Sequence, residues 1–187
     1  GITFNTQAQI NSFHANYPGC TSIAGNVTID PQPSGNITNL NGLSGLTFIG
    51  GDLTIAHSSS LNNLSGLSSL DSIGGSLSIF NTWGLNSLSA LGALKAIHGN
   101  FIFYDNHGFT NLSSLTALSE VRGNVDIYVN PLLNNLNGLN ALTYIGGSLR
   151  IADNVLLSNL NGLNNLKTVV GDVTIGGSTW QTNAALT

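Results

Sequence analysis

Charge is nearly missing from this sequence. Asp, Glu, Lys and Arg together make up 6% of the residues, and only four residues are basic. These four are scattered, whereas nucleic-acid binding and attachment to anionic membranes both require clustered cations. No apolar run approaches the length of a transmembrane helix. We therefore expect neither nucleic-acid binding nor membrane insertion. The basic residues are Lys95, Arg122, Arg150 and Lys167.

Cysteine is also scarce, with Cys20 alone in the chain. One cysteine excludes an internal disulfide, and we interpret Cys20 as a buried small apolar residue of the N-terminal cap. Carboxylates are sparse, and neither zinc-ligand spacing nor a phosphate-binding loop occurs, so we expect no metal and no cofactor. No nucleophile motif accompanies the His and Asp residues, which predicts a protein that is not an enzyme.

The sequence does contain a strong repeat. A repeat of this period indicates a solenoid, in which each coil buries its apolar residues against its neighbours. Apolar residues recur at coil positions 5 and 7, the spacing of a strand with both side chains pointing inward. They also recur at positions 13, 16, 19 and 22, a spacing of three that favours short 3₁₀ segments. Successive coils begin 24 residues apart at Ile49, Ile73, Ile97, Val121, Ile145 and Val169, after a coil at Ile23 that is two residues longer.

The form Ile-Gly-Gly-x-Leu-x-Ile, followed by leucines three residues apart, is complete between Ile145 and Leu166. It resembles the leucine-rich repeats of receptor L-domain-like proteins and is similar to repeats of secreted or surface-attached bacterial proteins. The resemblance covers residues 23–175. It implies a mainly β, right-handed solenoid with a parallel sheet on one face. It also implies a non-catalytic recognition or adhesion module that is extracellular or on the cell surface.

Three parts follow from this pattern. Residues 1–22 form an N-terminal helical cap, in which Thr6 and Gln9 fit a capping box. Residues 23–175 form seven coils, the last one partial. Residues 176–187 form a C-terminal tail or cap, where Trp180 would cover the exposed core unless a further coil follows. We interpret the chain as a mature or excised segment without its targeting sequence, because it begins at Gly1 immediately before the cap.

Three successive coils carry an aromatic residue at the outward-facing position 8, namely Phe80, Tyr104 and Tyr128. Neighbouring strands bring these side chains together, either as a ladder that stabilises the sheet or as a binding platform. The two interpretations are compatible. Asp126 and Arg150 occupy position 6 of adjacent coils, and we expect them to form an exposed ion pair.

Polar residues follow the strands at position 9, and Trp83 and His107 lie at position 11. An aromatic strip bordered by Asn, Asp and His suits a protein loop or a sugar. We predict that a protein partner binds the sheet face, with a glycan on the same face as the alternative. The candidate binding residues are Phe80, Tyr104, Tyr128, Trp83, Asp105, His107, Asp126 and Arg150.

Two further features have a structural interpretation. Position 10 carries Asn in three consecutive coils, and we expect these side chains to turn inward and bond to the loop backbone. The coil that begins at Ile97 has Phe101, Phe103 and Phe109 where other coils have Leu, Ile or Val, which predicts a locally larger core. The position-10 residues are Asn106, Asn130 and Asn154.

An ice-binding solenoid is a minor alternative. Low charge and abundant Thr, Ser and Asn would suit it, but such a surface requires the same small polar residue in register over many coils. The row at position 6 is interrupted by Ile102, Asp126 and Arg150. The Asn and Ser rows at positions 14, 15 and 17 are more regular.

Overall fold

Two parallel β-sheets run along the protein, as the computed structural model shows for residues 1–32 and 36–176. The larger sheet has eight strands, and its order follows the chain. This confirms the predicted mainly β fold of stacked parallel strands. The strands are Ile2–Phe4 (β1), Val27–Ile29 (β3), Leu53–Ala56 (β5), Leu77–Phe80 (β7), Phe101–Tyr104 (β9), Val125–Tyr128 (β11), Leu149–Ala152 (β13) and Val173–Ile175 (β15).

The second sheet is a finding that the sequence did not predict. It consists of seven two-residue strands that end at position 1 of each coil. Two residues are too short for the alternation by which a strand is recognised in a sequence. The strands are Ser22–Ile23 (β2), Phe48–Ile49 (β4), Ser72–Ile73 (β6), Ala96–Ile97 (β8), Glu120–Val121 (β10), Tyr144–Ile145 (β12) and Thr168–Val169 (β14).

Equivalent residues of successive coils face one another in both sheets. Ile127 pairs with Phe103 on one side and with Ile151 on the other, and all three are fully buried. The intervening residues Asp126 and Tyr128 are only half-buried. The predicted inward direction of positions 5 and 7 is therefore confirmed, and positions 6 and 8 form the outer face of the larger sheet.

The opposite side of the coils carries the leucine rows. Three coils contain the predicted 3₁₀ segments, at Asn41–Leu43, Ser65–Leu67 and Ser89–Leu91. The later described coils pass through turns instead. The enlarged core is confirmed, because Phe101, Phe103 and Phe109 are fully buried. The Phe103 ring centroid lies 6.2 Å from that of Phe101 and 5.0 Å from that of Phe109.

The N-terminal cap contains the predicted helix, Gln7–Asn16 (α1), and both hydrogen bonds of the Thr6–Gln9 capping box are present. Ile10 and Phe13 on this helix are buried. The helix packs against the first 3₁₀ segment so closely that a Cβ on Gly42 would overlap the carbonyl oxygen of Ile10. The cap is more than a helix, since β1 also extends the larger sheet by pairing with β3.

The predicted C-terminal tail, with Trp180, lies outside the described residues from position 177 onward. Among the described residues, no helix combines the length and apolar character that membrane spanning requires.

Candidate recognition surface

Phe80, Tyr104 and Tyr128 form a stack on the outer face of the larger sheet, which we call the aromatic column. The ring centroids of Phe80 and Tyr104 are 4.8 Å apart with planes at 10°, and those of Tyr104 and Tyr128 are 5.0 Å apart with planes at 4°. These separations match the spacing of adjacent strands, about 4.8 Å. The three residues are in direct register, so the sheet itself sets the stacking.

Each end of the column meets another side chain. The His57 ring lies perpendicular to Phe80, with centroids 5.5 Å apart. The Arg150 guanidinium lies over the ring of Tyr128, 4.5 Å from its centroid. Tyr104 is therefore covered on both ring faces by aromatic neighbours, and Tyr128 is covered by Tyr104 and Arg150. Ring edges and hydroxyl groups are what these two tyrosines offer to a partner.

The predicted ion pair between Asp126 and Arg150 is wrong. It is absent from the ion pairs of the described residues, and Arg150 contacts the Tyr128 ring instead. An exposed ion pair is worth little, whereas a guanidinium on a half-buried ring gains both electrostatic attraction and packing. Burial raises the pKa of Asp126, and the charge of Arg150 only partly opposes this. Burial also raises the pKa of Tyr128, as do Tyr104 and Asp126, against the opposing effect of Arg150.

The polar residues at position 9 have a backbone explanation. Four of them, together with Val129, adopt the left-handed conformation, which Asn and Asp tolerate much better than most side chains. Part of the polar margin beside the sheet is thus required by the turn rather than by a ligand. Val129 is the exception, since a β-branched residue in this conformation is strained. The five residues are His57 (φ 48°), Asn81 (φ 53°), Asp105 (φ 53°), Val129 (φ 55°) and Asp153 (φ 56°).

The remaining candidate residues form a second cluster, on the loops that follow the strands. Trp83 is 61% exposed and stacks on His107, with centroids 5.5 Å apart and planes at 27°. Nε2 of His107 lies 3.0 Å from Oδ1 of Asp105. The structure therefore separates the predicted residues into the aromatic column with its Asp126 and Arg150 neighbours, and a loop cluster of Trp83, Asp105 and His107.

A groove of about 280 Å³ adjoins Trp83, on the side away from His107, and we call it the Trp83 groove. It exists because Ser59 occupies position 11, where the next two coils have the much larger Trp83 and His107. Gln32 and Ser59 are not among the site residues that the sequence predicts. The change from Ser to Trp to His along one row was the signal that could have revealed the groove. Its lining residues are Gln32, His57, Ser59, Asn81 and Trp83.

The buried Asn row at position 10 is confirmed as a structural ladder. Asn130 is fully buried, and its Oδ1 accepts a hydrogen bond of 3.1 Å from the backbone N–H of Asn106. Its Nδ2 donates to the carbonyl oxygens of Phe103, at 3.1 Å, and Tyr128, at 3.0 Å. Asn154 Oδ1 accepts from the backbone N–H of Asn130 in the same way. These amides hold adjacent loops together and leave nothing for a ligand.

Two other polar rows also stabilise the coils. At position 15, Oδ1 of residues such as Asn111 and Asn159 accepts from the backbone N–H two residues later, which fixes the turn. This commits much of the Asn-rich side to its own backbone and weakens the ice-binding alternative. At position 4, Asn100 Oδ1 accepts from the Asn124 N–H, and Asn124 Oδ1 accepts from the Ser148 N–H, each at 2.8 Å. Within the described ranges, no three His, Cys, Asp or Glu residues come together as a metal site.

Comparison with known families adds one likeness. Residues 19–76 match the receptor L domain. Receptor L domains are non-catalytic binding domains, typical of extracellular parts of receptors. The match spans the end of the cap and the first coils, about a third of the chain, so the likeness is to that stretch. Searches of curated proteins and of solved structures gave no match. The similarity to bacterial surface proteins stays a prediction.

Proposed function

We propose that this chain is a non-catalytic recognition module of a secreted or cell-surface protein, and that it binds a protein partner through the outer face of the larger sheet. The observation that carries the proposal is the aromatic column, three half-exposed rings held in register on three adjacent strands. Tyrosines are favoured anchors in protein interfaces. Stacking immobilises these rings before binding, which lowers the entropy that association would otherwise cost.

The orientation of the rings favours a protein over a sugar as the ligand of this column. Tyr104 offers no free ring face, whereas a sugar packs its apolar C–H groups on an open face. A protein surface can use ring edges and hydroxyl groups. The Tyr128 hydroxyl, like that of any tyrosine, is protonated at physiological pH and can donate a hydrogen bond, and burial raises its pKa further.

The surroundings of the column resemble a small protein interface. Ile102 lies half-buried in the next row of the sheet and adds apolar surface, while Asp126 and Arg150 add one charge of each sign. Such a mixture of aromatic, apolar and a few charged groups is typical of interface centres. The likeness of residues 19–76 to a receptor L domain supports the same class of function.

Site-specific photo-crosslinking tests the proposal. A benzophenone side chain placed at Ile102 would lie on the proposed interface, and the same group at the exposed Asn137 would lie on the turn side as a matched control. Incubation with intact cells or their secreted proteins should give a discrete protein adduct from position 102 only. A folded Tyr104→Ala, Tyr128→Ala variant carrying the same probe should lose the adduct.

The proposal fails if position 102 yields no adduct, or if both positions yield the same ones. It also fails if the double variant, with unchanged circular dichroism, forms the adduct as efficiently as the native sequence. In that case the aromatic column serves only to stabilise the sheet.

A further inference from the structure

Three side chains that line the Trp83 groove have no hydrogen-bond partner among the described residues. Within the described part of the chain, the side-chain amide of Asn81, the hydroxyl of Ser59 and the indole N–H of Trp83 make no hydrogen bond. The amides of the position-10 and position-15 rows, in contrast, all bond to backbone. The donors and acceptors beside this groove are thus free to bond to a ligand.

The groove has little net charge. Nδ1 of His57 lies 3.2 Å from Oδ1 of Asp30, so the one carboxylate beside the groove already has a partner. An ionised carboxylate only accepts, so Nδ1 carries the proton and Nε2 of a neutral His57 is an acceptor. None of the Lys and Arg residues lines the groove. A phosphate or carboxylate ligand would find no cation here, and an ammonium ligand would find no free anion.

Trp83 provides a flat apolar wall for this neutral groove. One face of its ring is stacked on His107, which fixes the indole, and 61% of the residue remains exposed. A sugar ring has the complementary form, with apolar C–H faces and a rim of hydroxyl groups that both donate and accept. The groove volume of about 280 Å³ is close to the lower limit of ligand-binding pockets, which is about 300 Å³. A groove of this size suits one or two sugar residues.

We propose that the Trp83 groove binds a neutral sugar residue of a glycan. The sugar ring packs against the open face of Trp83, and its hydroxyl groups bond to Asn81, Ser59 and His57. This site is separate from the interface proposed on the aromatic column, although His57 contacts both. The glycan is thus placed on the loops rather than on the aromatic column. This inference does not depend on whether a protein partner binds the column.

Binding of defined neutral sugars tests this inference. Glucose, galactose, mannose, N-acetylglucosamine, cellobiose, maltose and lactose would be titrated into a Trp180→Phe variant, in which Trp83 is the single tryptophan. At least one sugar should change the Trp83 fluorescence saturably. The effect of substitutions would then be measured by saturation-transfer NMR, which needs no tryptophan. Trp83→Ala should raise the Kd for the sugar at least tenfold, whereas Trp83→Phe should change it little.

Two further variants make the result specific to the groove. Ser59→Trp places at position 11 the residue that the next coil already accommodates there, so it should fold normally and abolish sugar binding by filling the groove. Tyr128→Ala alters the column alone and should leave sugar binding unchanged. The inference is overturned if none of the sugars binds, if binding survives both Trp83→Ala and Ser59→Trp, or if Tyr128→Ala removes it.

Discussion

The buried Asn row and the Trp83 groove lie on the same loops, in positions that differ by one residue, yet their side chains are used in opposite ways. The side-chain amide of Asn130 at position 10 bonds to three backbone groups and to the side chain of Asn154, whereas the amide of Asn81 at position 9 has no partner among the described residues. The residue type is the same, so composition does not distinguish them. What distinguishes them is whether the backbone of the next coil lies within reach of the amide.

The sharpest way to test this contrast is to remove one amide from each row. Asn130→Ala would leave the N–H of Asn106 and the carbonyl of Phe103 buried without their partner, at about 1–3 kcal/mol for each unsatisfied group. We expect the free energy of unfolding, measured with urea, to fall by about 3 kcal/mol.

The matched change in the other row is Asn81→Gly, because glycine also accepts the positive φ of this residue. We expect it to change the unfolding free energy by less than about 0.5 kcal/mol. Equal losses from the two variants would contradict the contrast. It would mean that the Asn81 amide supports the loop after all.

Substitutions in the aromatic column test whether the stacking of its rings stabilises the sheet. Tyr104→Ala removes two ring stacks, each worth about 0.5–1.5 kcal/mol, so we expect a loss of about 2 kcal/mol in urea unfolding. Tyr104→Phe keeps both stacks and should change stability little. If the alanine variant were as stable as the native protein, the stack would contribute only to binding.

The left-handed turn at position 9 allows a test of whether Asn and Asp occur there because the backbone requires a positive φ. Val129→Asn should raise the free energy of unfolding by about 1 kcal/mol, because Asn tolerates positive φ and Val does not. The reverse change, Asn81→Val, should lower it by a similar amount. A Val129→Asn variant less stable than the native protein would show that packing of this 37% exposed side chain outweighs the strain.

The features that depend on the repeat period or on a local motif were predictable from the sequence. The inward strand positions, the buried Asn ladder, the capping box and the alignment of Phe80, Tyr104 and Tyr128 all follow from period and residue type. The second sheet was not, because strands of two residues carry no alternation. The left-handed turn was visible only as a preference for Asn and Asp at one position, which we interpreted as a ligand margin.

For the candidate surface, the sequence predicts which residues lie there better than it predicts how their side chains are arranged. The stacking of the column follows from register, but the direction of Arg150 does not, because register places Arg150 directly opposite Asp126 whereas its guanidinium lies over the ring of Tyr128. The Trp83 groove depends on a small residue, Ser59, beside a large one in the next coil. Local gaps of this kind arise from differences between repeats, which a search for periodicity averages away.

Asp126 provides the smallest test, since it is a carboxyl group on the sheet face without an ion-pair partner. Its pKa is raised in the folded protein, so the native state binds the proton more tightly than the unfolded state. Between the unfolded and the folded pKa, this residue makes stability fall as pH rises. We therefore compare the free energy of unfolding of Asp126→Asn with that of the native protein at two pH values. The difference, variant minus native, should be larger at pH 7 than at pH 3, by about a few tenths of a kcal/mol after screening by solvent. A difference of the opposite sign, in urea unfolding at the two pH values, would show that attraction to Arg150 exceeds the cost of burial.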